Sequence, residues 1–380
     1  MRYLNLPTLA ITAALSLPIV ANASEADLQK QINELKARLD VTTEVIESSA
    51  STNKSTGGSK VQIGGYGEMH YNNLNGKGGA ADKTEMDFHR FVLFFGYEFS
   101  DTIRFFSEVE IEHALASSSA SGEVELEQAY IEFDINKQHR VKAGVFLIPV
   151  GIINETHEPN TFYGVERNPV EKNIIPSTWW EGGTALSGEF AKGWQYDVSL
   201  TSGLDLGTTG TTKVRSGRQK VSNAQAKSLM TAARVKWTGV PGLELAATVT
   251  HQDDYTQGLG TKNSAQLIET HAVWQKNGFA LRALYASWKV DGQTSGYDKQ
   301  KGYYIEPSYK FTDKVGVFAR YNQYDNQAGD SSQNGEKKQT DIGVNYWPHP
   351  DVVIKADYQS QDNANNSDQN GFNLGIGYQF

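Results

Sequence analysis

The 380-residue chain carries 44 acidic and 35 basic side chains, a formal net charge of −9, with 36 Gly, 18 Tyr, 16 Phe, 7 Trp and no Cys. The lack of Cys excludes a disulfide scaffold, a cysteine zinc site and a thiol nucleophile, and the acidic balance without a long basic tract argues against a nucleic-acid partner. Only 38% of residues are hydrophobic and no run of 18 apolar residues follows the N-terminus, which excludes a spanning helix but not spanning strands, because alternate strand residues need not face lipid.

Residues 1–23 read as a signal peptide. Arg2 supplies the positive end, Leu4 to Val20 the apolar stretch, and Ala21-Asn22-Ala23 a small-x-small cleavage site before Ser24. A membrane anchor is the rival reading, opposed by Pro7, Pro18 and the shortness of the apolar run. Residues 24–47 are expected to form a short periplasmic helix. Leu28, Ile32, Leu35, Leu39, Thr42 and Ile46 recur at spacings of 4, 3, 4, 3 and 4, a heptad seam. Three heptads are marginal alone, so the seam points to assembly between chains already held together, with a lone amphipathic helix as the alternative. Residues 48–60 form a Ser/Thr/Gly linker.

From Val61 the pattern changes to period-two alternation interrupted by turn residues. The C-terminus is clearest: Phe372, Leu374, Ile376, Tyr378 and Phe380 share one face, with Asn373, Gly375, Gly377 and Gln379 on the other. Sixteen strands are predicted, at 61–72, 85–99, 102–113, 123–136, 139–149, 183–191, 193–203, 225–238, 242–252, 264–275, 278–289, 301–311, 314–325, 337–347, 352–361 and 371–380. Short turns alternate with long loops, seven against eight, as in an even-stranded transmembrane antiparallel β-barrel with both termini on the short-turn side. A soluble β-sandwich would predict neither that alternation nor aromatics near so many strand ends. Lipid cannot satisfy open strand edges, so the barrel must close. Pro307 inside a strand predicts a bulge or break, and lost alternation around Glu127–Tyr130 predicts another bulge.

The longest loop, 150–182, spans 33 residues. A structureless loop of that length is usually functional, and it is expected to fold inward as a constriction carrying Glu155, Glu158, Glu166, Arg167, Glu171 and Lys172. Trp179 and Trp180 are expected to pin its return, and an external cap over the mouth is the alternative. Alternation nominates Arg90, Arg104, Lys142, Arg234, Lys236, Arg282, Lys310, Arg320 and Lys355 as pore-lining bases. Facing them are Glu108, Glu110, Glu112, Glu132, Asp134, Glu269, Glu306, Asp341 and Asp357. Acids concentrate in the third and fourth strands, so an acidic wall is expected to face a basic one across the pore. Lys213, Arg215, Arg218 and Lys220 in loop 204–224 suit either an anion funnel or lipopolysaccharide phosphates.

VQIGGYGEMHY at 61–71, LEQAYIEFDI at 126–135, VKAGVFLIPVGI at 141–152 and the terminal GFNLGIGYQF, with the leader and helical segment, resemble the phosphate-selective porin O and P family. FYGVERNPVEKNIIPSTWWEGG at 162–183 is similar to related porins of marine gammaproteobacteria, and Phe380 resembles the signal read by barrel-assembly machinery. The resemblance implies a Gram-negative outer-membrane location, a homotrimer among lipid and lipopolysaccharide, and ion transport by passive diffusion of small hydrophilic solutes, anions such as phosphate among them. No residue of the family's basic ladder aligns individually, and a general or cation-preferring pore stays open beside the anion reading. No enzyme is expected, since neither G-x-S-x-G nor H-E-x-x-H occurs and the eight His are scattered. No cofactor or metal site is expected, and peptidoglycan tethering by segment 24–47 is a further alternative.

Overall fold

The computed structural model describes residues 60–380 apart from 116, 118, 120 and 121. The leader, the heptad segment and the linker before Lys60 lie outside the described residues.

Sixteen strands close into one antiparallel barrel, each beside its sequence neighbours, with β1 meeting β16. They are β1 (Val61–Lys77), β2 (Lys83–Ser100), β3 (Ile103–Glu112), β4 (Val124–Asp134), β5 (His139–Leu147), β6 (Trp180–Ala191), β7 (Trp194–Thr201) and β8 (Met230–Val240). The second half comprises β9 (Leu243–Gln252), β10 (Ala265–Lys276), β11 (Phe279–Val290), β12 (Lys299–Thr312), β13 (Val315–Asp325), β14 (Glu336–His349), β15 (Val352–Gln361) and β16 (Asp368–Gln379). Every predicted strand has its counterpart. Several run longer than alternation suggested, β1 most of all: β1 and β2 extend toward each other and leave only 78–82 between them. β8 starts five residues later, because 225–229 belongs to the loop before it.

Burial follows the strand period with its usual polarity inverted. In β10, Leu267, Glu269 and His271 are buried while Ile268 between them is half exposed. Ile305, Ile342, Val344, Ile354, Leu374 and Ile376 are likewise exposed on the outside. Apolar side chains out and polar ones in is what a bilayer selects. The short-turn rim carries aromatic pairs such as Trp194–Trp237 at 6.1 Å, Trp274–Phe279 at 5.5 Å and Tyr309–Phe311 at 5.1 Å between ring centroids. Toward the other rim, Tyr303–Tyr321 at 6.2 Å and Tyr358–Phe372 at 4.9 Å do the same. Amphipathic rings suit the two membrane–water interfaces.

Closure depends on a close approach at Gly65. Its amide donates to the Phe380 carbonyl and its own carbonyl accepts from the Phe380 amide, both at 2.9 Å. A Cβ there would lie 2.2 Å from the Val92 carbonyl oxygen. The bulge expected near Glu127 is present: Glu108 pairs with Gln128 but Val109 with Leu126, leaving Glu127 as the extra residue. Pro307 behaves otherwise. It breaks nothing, pairing with Leu281 on β11, while toward β13 the ladder skips Glu306 and Pro307 between Ile305–Tyr321 and Ser308–Phe318 without a change of register. The irregularity in that pair falls at Lys310/Thr312, so the missing N–H is absorbed as a gap.

Candidate functional site

The lumen is organised by the segment between β5 and β6. β5 stops at Leu147, whose partner is Trp180, so the chain leaves and rejoins the wall at adjacent positions. Asn154 closes the neck. Its Nδ2 donates to the carbonyls of Ile148 at 2.8 Å and Trp179 at 3.0 Å, and its Oδ1 accepts from the Trp179 amide at 2.7 Å. Within the loop, a one-turn helix α1 (Pro169–Asn173) is capped by the Asn168 side chain. Its Glu171 Oε2 accepts from the amides of Ile152 at 2.9 Å and Ile153 at 2.7 Å, and Oε1 accepts from the Tyr304 hydroxyl at 2.8 Å.

The loop crosses the lumen and is tied to the wall around much of the circumference. Asp357 on β15 accepts from the Val165 amide at 2.6 Å. Lys355 Nζ donates to the carbonyls of Phe162 at 3.1 Å and Gly164 at 2.9 Å. Arg282 on β11 donates to the Thr161 carbonyl at 2.8 Å. Glu166 accepts from Asn72 on β1 at 3.2 Å and lies 3.2 Å from His70. Glu155 pairs with Arg234 on β8. His157 is wedged between Glu108 on β3 at 3.2 Å and Glu127 on β4 at 3.3 Å. Burial opposes a charge on this loop imidazole, but the Glu108 carboxylate and the hydrogen bonds to Glu108 and Glu127 more than reverse that, and its pKa is pushed up to about 10.

A second loop, 202–229, covers the first. Arg215 donates to the carbonyls of Lys172 at 2.7 Å and Ser177 at 2.6 Å, and Arg218 to those of Pro176 at 3.1 Å and Thr178. Lys220 pairs with Glu123 at 3.1 Å and with Glu125. Three of the four bases singled out in 204–224 therefore serve loop-to-loop and loop-to-wall contacts, while Lys213 is exposed. Beneath them lies an apolar core inside the barrel: Ile148, Val150, Val170, Ile174, Ile175 and Trp179 pack with Leu204, Leu206 and Val214 onto Leu267, Leu284, Trp288 and Tyr304 of the wall. Trp288 donates its indole N–H to the Ile174 carbonyl at 2.7 Å. Of the two tryptophans expected at the loop's return, Trp179 enters this core, 5.9 Å from Trp288, and Trp180 begins β6 beneath Arg218 and Lys220.

The nominated charges separate by depth. Arg90, Arg234, Arg320 and Lys355 are buried. Arg90 forms an ion pair with Glu68 at 2.7 Å and approaches Glu110 at 3.4 Å, and Arg320 lies 3.3 Å from Glu306 and 3.0 Å from Asp341. Arg104, Lys142, Lys236, Arg282 and Lys310 are half-exposed, and all sit within a few residues of the short turns. Arg104 pairs with Glu132 at 2.8 Å and with Asp134. Lys236 and Arg282 stand 3.9 Å from Glu244 and Glu306. Lys142 lies over the rings of Tyr130 and Phe146, and Lys310 over Trp347. The acidic wall expected on β3 and β4 is divided: Glu108 and Glu110 are buried, with Glu127, against Arg90 and His157, while Glu112, Glu132 and Asp134 are half-exposed. Charges removed from bulk water must be paired, and the loop supplies part of that pairing. In the loop itself Glu158 and Glu171 are buried, Glu155, Glu166 and Arg167 are half-exposed, and Lys172 is exposed. Arg167 donates to Thr178 Oγ1 at 3.2 Å.

Sequence reasoning missed the apolar core and one further group, His70, His89 and His113, which β1, β2 and the end of β3 bring together. The apolar residues inside loop 150–182 were a readable sign of the former. Nothing local marked the latter.

A closed sixteen-strand barrel with an apolar outer band, aromatic rims and a polar lumen folded over by its own loops defines a bacterial outer-membrane channel of the porin type. The chain belongs to the family described as phosphate-selective porin O and P, whose model matches residues 61–380. An uncharacterised protein of Aquifex aeolicus is 29% identical over 353 aligned positions, covering 84% of this chain and 80% of the relative. The outer membrane channel DcaP of Acinetobacter baumannii shares the fold with a TM-score of 0.60 at 15% identity, over 86% of this chain and 99% of that one. An anion-selective porin from Comamonas acidovorans does so at 0.60 and 12%, over 84% and 99%. The protein is therefore an outer-membrane porin, and its family and fold are those of channels.

Proposed function

We propose that the protein is a water-filled channel for passive diffusion of small hydrophilic solutes, with a preference for small anions, phosphate among them, and that loop 150–182 is its constriction. The observation that carries the anion reading is the set of half-exposed bases near the periplasmic end. Arg104, Lys142, Lys236, Arg282 and Lys310 come from β3, β5, β8, β11 and β12 and surround much of the lumen at one depth. The similar Comamonas acidovorans porin is anion-selective and the family is described as phosphate-selective, which points the same way. Bases at close quarters in a confined lumen raise the local anion concentration. A second reading, a cation-preferring pore, rests on Glu155 and Glu166, which keep part of their carboxylates accessible on the loop. Reversal potential in planar bilayers under a potassium chloride gradient, repeated with phosphate, decides between them. Anion selectivity with chloride current blocked by phosphate supports the first reading; cation selectivity without block overturns it and shifts the site to the loop glutamates.

We further propose that residues 1–23 are removed on export, that 48–60 links the barrel at 61–380 to a periplasmic helix at 24–47, and that barrels associate as homotrimers. The heptad seam supports this, because it is too short to hold chains together alone. Mass measurement of the detergent-solubilised protein with and without 24–47 tests both the oligomer and the helix's part in it. Membrane lipid and lipopolysaccharide are the expected surroundings, and the exposed Lys213 and Lys227 are the bases of that loop best placed for a lipopolysaccharide phosphate.

A further inference from the structure

Three of the eight histidines, distant in sequence, converge on one face of the lumen near the long-loop rim, and the backbone departs from regularity twice to place them. In the β1–β2 pair, Glu68 faces Arg90 but His70 faces Asp87, so β2 holds one residue more than β1 at this point. A bulge re-aims a side chain. Here Asp87, His89 and Arg90 all reach the lumen instead of alternating. At the end of β3, His113 adopts φ 56, a left-handed conformation uncommon for a residue with a side chain, and its amide donates to the His89 carbonyl at 3.2 Å. The two irregularities bring both imidazoles onto one carboxylate. Asp87 lies 3.1 Å from His89 Nδ1, and 2.8 and 2.9 Å from His113 Nδ1. All three keep part of their surface accessible, with side-chain exposures of 21%, 21% and 34% for Asp87, His89 and His113.

We propose that Asp87, His89 and His113 form a binding site for a divalent transition-metal cation such as zinc. One ligand atom from each of these residues lies within 4.8 Å of the others. A tetrahedral zinc ion with ligands at roughly 2 Å holds neighbouring ligand atoms roughly 3.3 Å apart, so the two Asp87–imidazole contacts need to open by only a few tenths of an ångström. The metal takes the place of the protons now shared between Asp87 and the two Nδ1 atoms, which leave to solvent. Two imidazoles and one carboxylate suit zinc and its neighbours better than calcium or magnesium, which prefer all-oxygen shells. Three protein ligands leave a coordination position for water, and the partial exposure provides a route in.

The site's position also couples it to the loop. His89 stacks on His70 with ring centroids 4.6 Å apart, and His70, His89 and Glu166 form a second group whose ligand atoms lie within the same 4.8 Å. Glu166 belongs to the segment that crosses the lumen. A metal bound at His89 therefore stands against the loop and adds a tether between it and the β1–β2 wall.

The test is equilibrium dialysis of the purified full-length protein in detergent against zinc chloride at neutral pH, which does not depend on the protein conducting. The expected result is one zinc per chain, undiminished by millimolar magnesium, unchanged in His251→Ala and lost in both Asp87→Asn and His113→Ala. Absence of stoichiometric zinc in the wild type, or binding retained by both variants, overturns the site. With binding established, single-channel recording reads the tether: zinc should lower wild-type conductance and leave the two variants unaffected. Binding with unchanged wild-type conductance overturns the tether alone, and a wild type that binds zinc without conducting would count against the porin reading instead.

Discussion

Glu171 holds the lumen loop in place through acceptors that nothing nearby replaces. Its carboxylate accepts from the amides of Ile152 and Ile153 and from the Tyr304 hydroxyl, and it is buried. Glu171→Ala takes the acceptor from these three donors and from the Asn168 side-chain amide, which donates to Oε1 at 3.3 Å. Each orphaned buried donor costs about 1–3 kcal/mol. Contributions within one network do not simply add, and a total of about 4 kcal/mol shifts the docked-to-undocked ratio of the loop by about a thousandfold. The barrel is a separate ladder of sixteen strand pairings and should stay closed. Glu171→Gln retains one carbonyl oxygen and should cost about 1 kcal/mol, in keeping with a neutral hydrogen bond. The assay is single-channel conductance in planar bilayers, with heat-modifiable electrophoretic mobility confirming that each variant is a folded barrel. Glu171→Ala should conduct more and with more open-channel noise, with Glu171→Gln between it and the wild type. Folded Glu171→Ala channels with wild-type conductance and noise would refute both the tether and the loop's role as the constriction.

Gly65→Val should impair closure, since its Cβ would meet the Val92 carbonyl oxygen at 2.2 Å; overpacking of this kind typically costs about 1–3 kcal/mol, and a reduced yield of heat-modifiable barrel on refolding into liposomes checks it. Lys142→Glu with Arg282→Glu should move the reversal potential toward that of potassium. At about 1 kcal/mol for a unit charge 4 Å from a permeating ion in water, each change alters the permeability ratio roughly fivefold or more, and an unmoved reversal potential would remove these bases from the selectivity mechanism. For His157, the folded imidazole has its pKa pushed up to about 10 from an ordinary 6.5. A raised folded value means its contribution is complete below the ordinary value and is lost as pH rises toward the folded one. Loop docking should thus weaken between neutral pH and about pH 10, as His157 loses its charge against Glu108 and Glu127 beside Arg167. Conductance recorded across that range should rise in the wild type, and His157→Gln should flatten the rise.

The barrel was legible because its signal is local. Residues 372–380 announce a strand face by alternation alone, and lipid outside the wall forces that alternation to persist through sixteen strands. The bulge at Glu127 was visible for the same reason, as a break in period two. Pro307 misled, because the sequence reports a missing donor but not whether the neighbouring strand can tolerate a gap. The inward fold of 150–182 could be expected from its length, yet its tethers could not. Lys355, Asp357 and Arg282 meet the loop only because the closed wall returns them to it across the lumen, some 120 to 190 positions away in sequence. Arg90, Arg234 and Arg320 look from alternation like open pore charges. Tertiary structure turns them into buried ion pairs, since a charge covered by protein must find an opposite one. The pairing of β1, β2 and the end of β3 likewise gathers His70, His89 and His113, scattered along 44 residues, with His89 and His113 on Asp87 and His70 beside Glu68 and Glu166. The sequence by itself determined a membrane barrel, its strand number and, away from the bulges, the direction of the strand side chains, which are consequences of a two-residue period. Which charges stay open to the pore, and which histidines meet, only strand pairing and the infolded loops decided, because those contacts join residues that no local pattern relates.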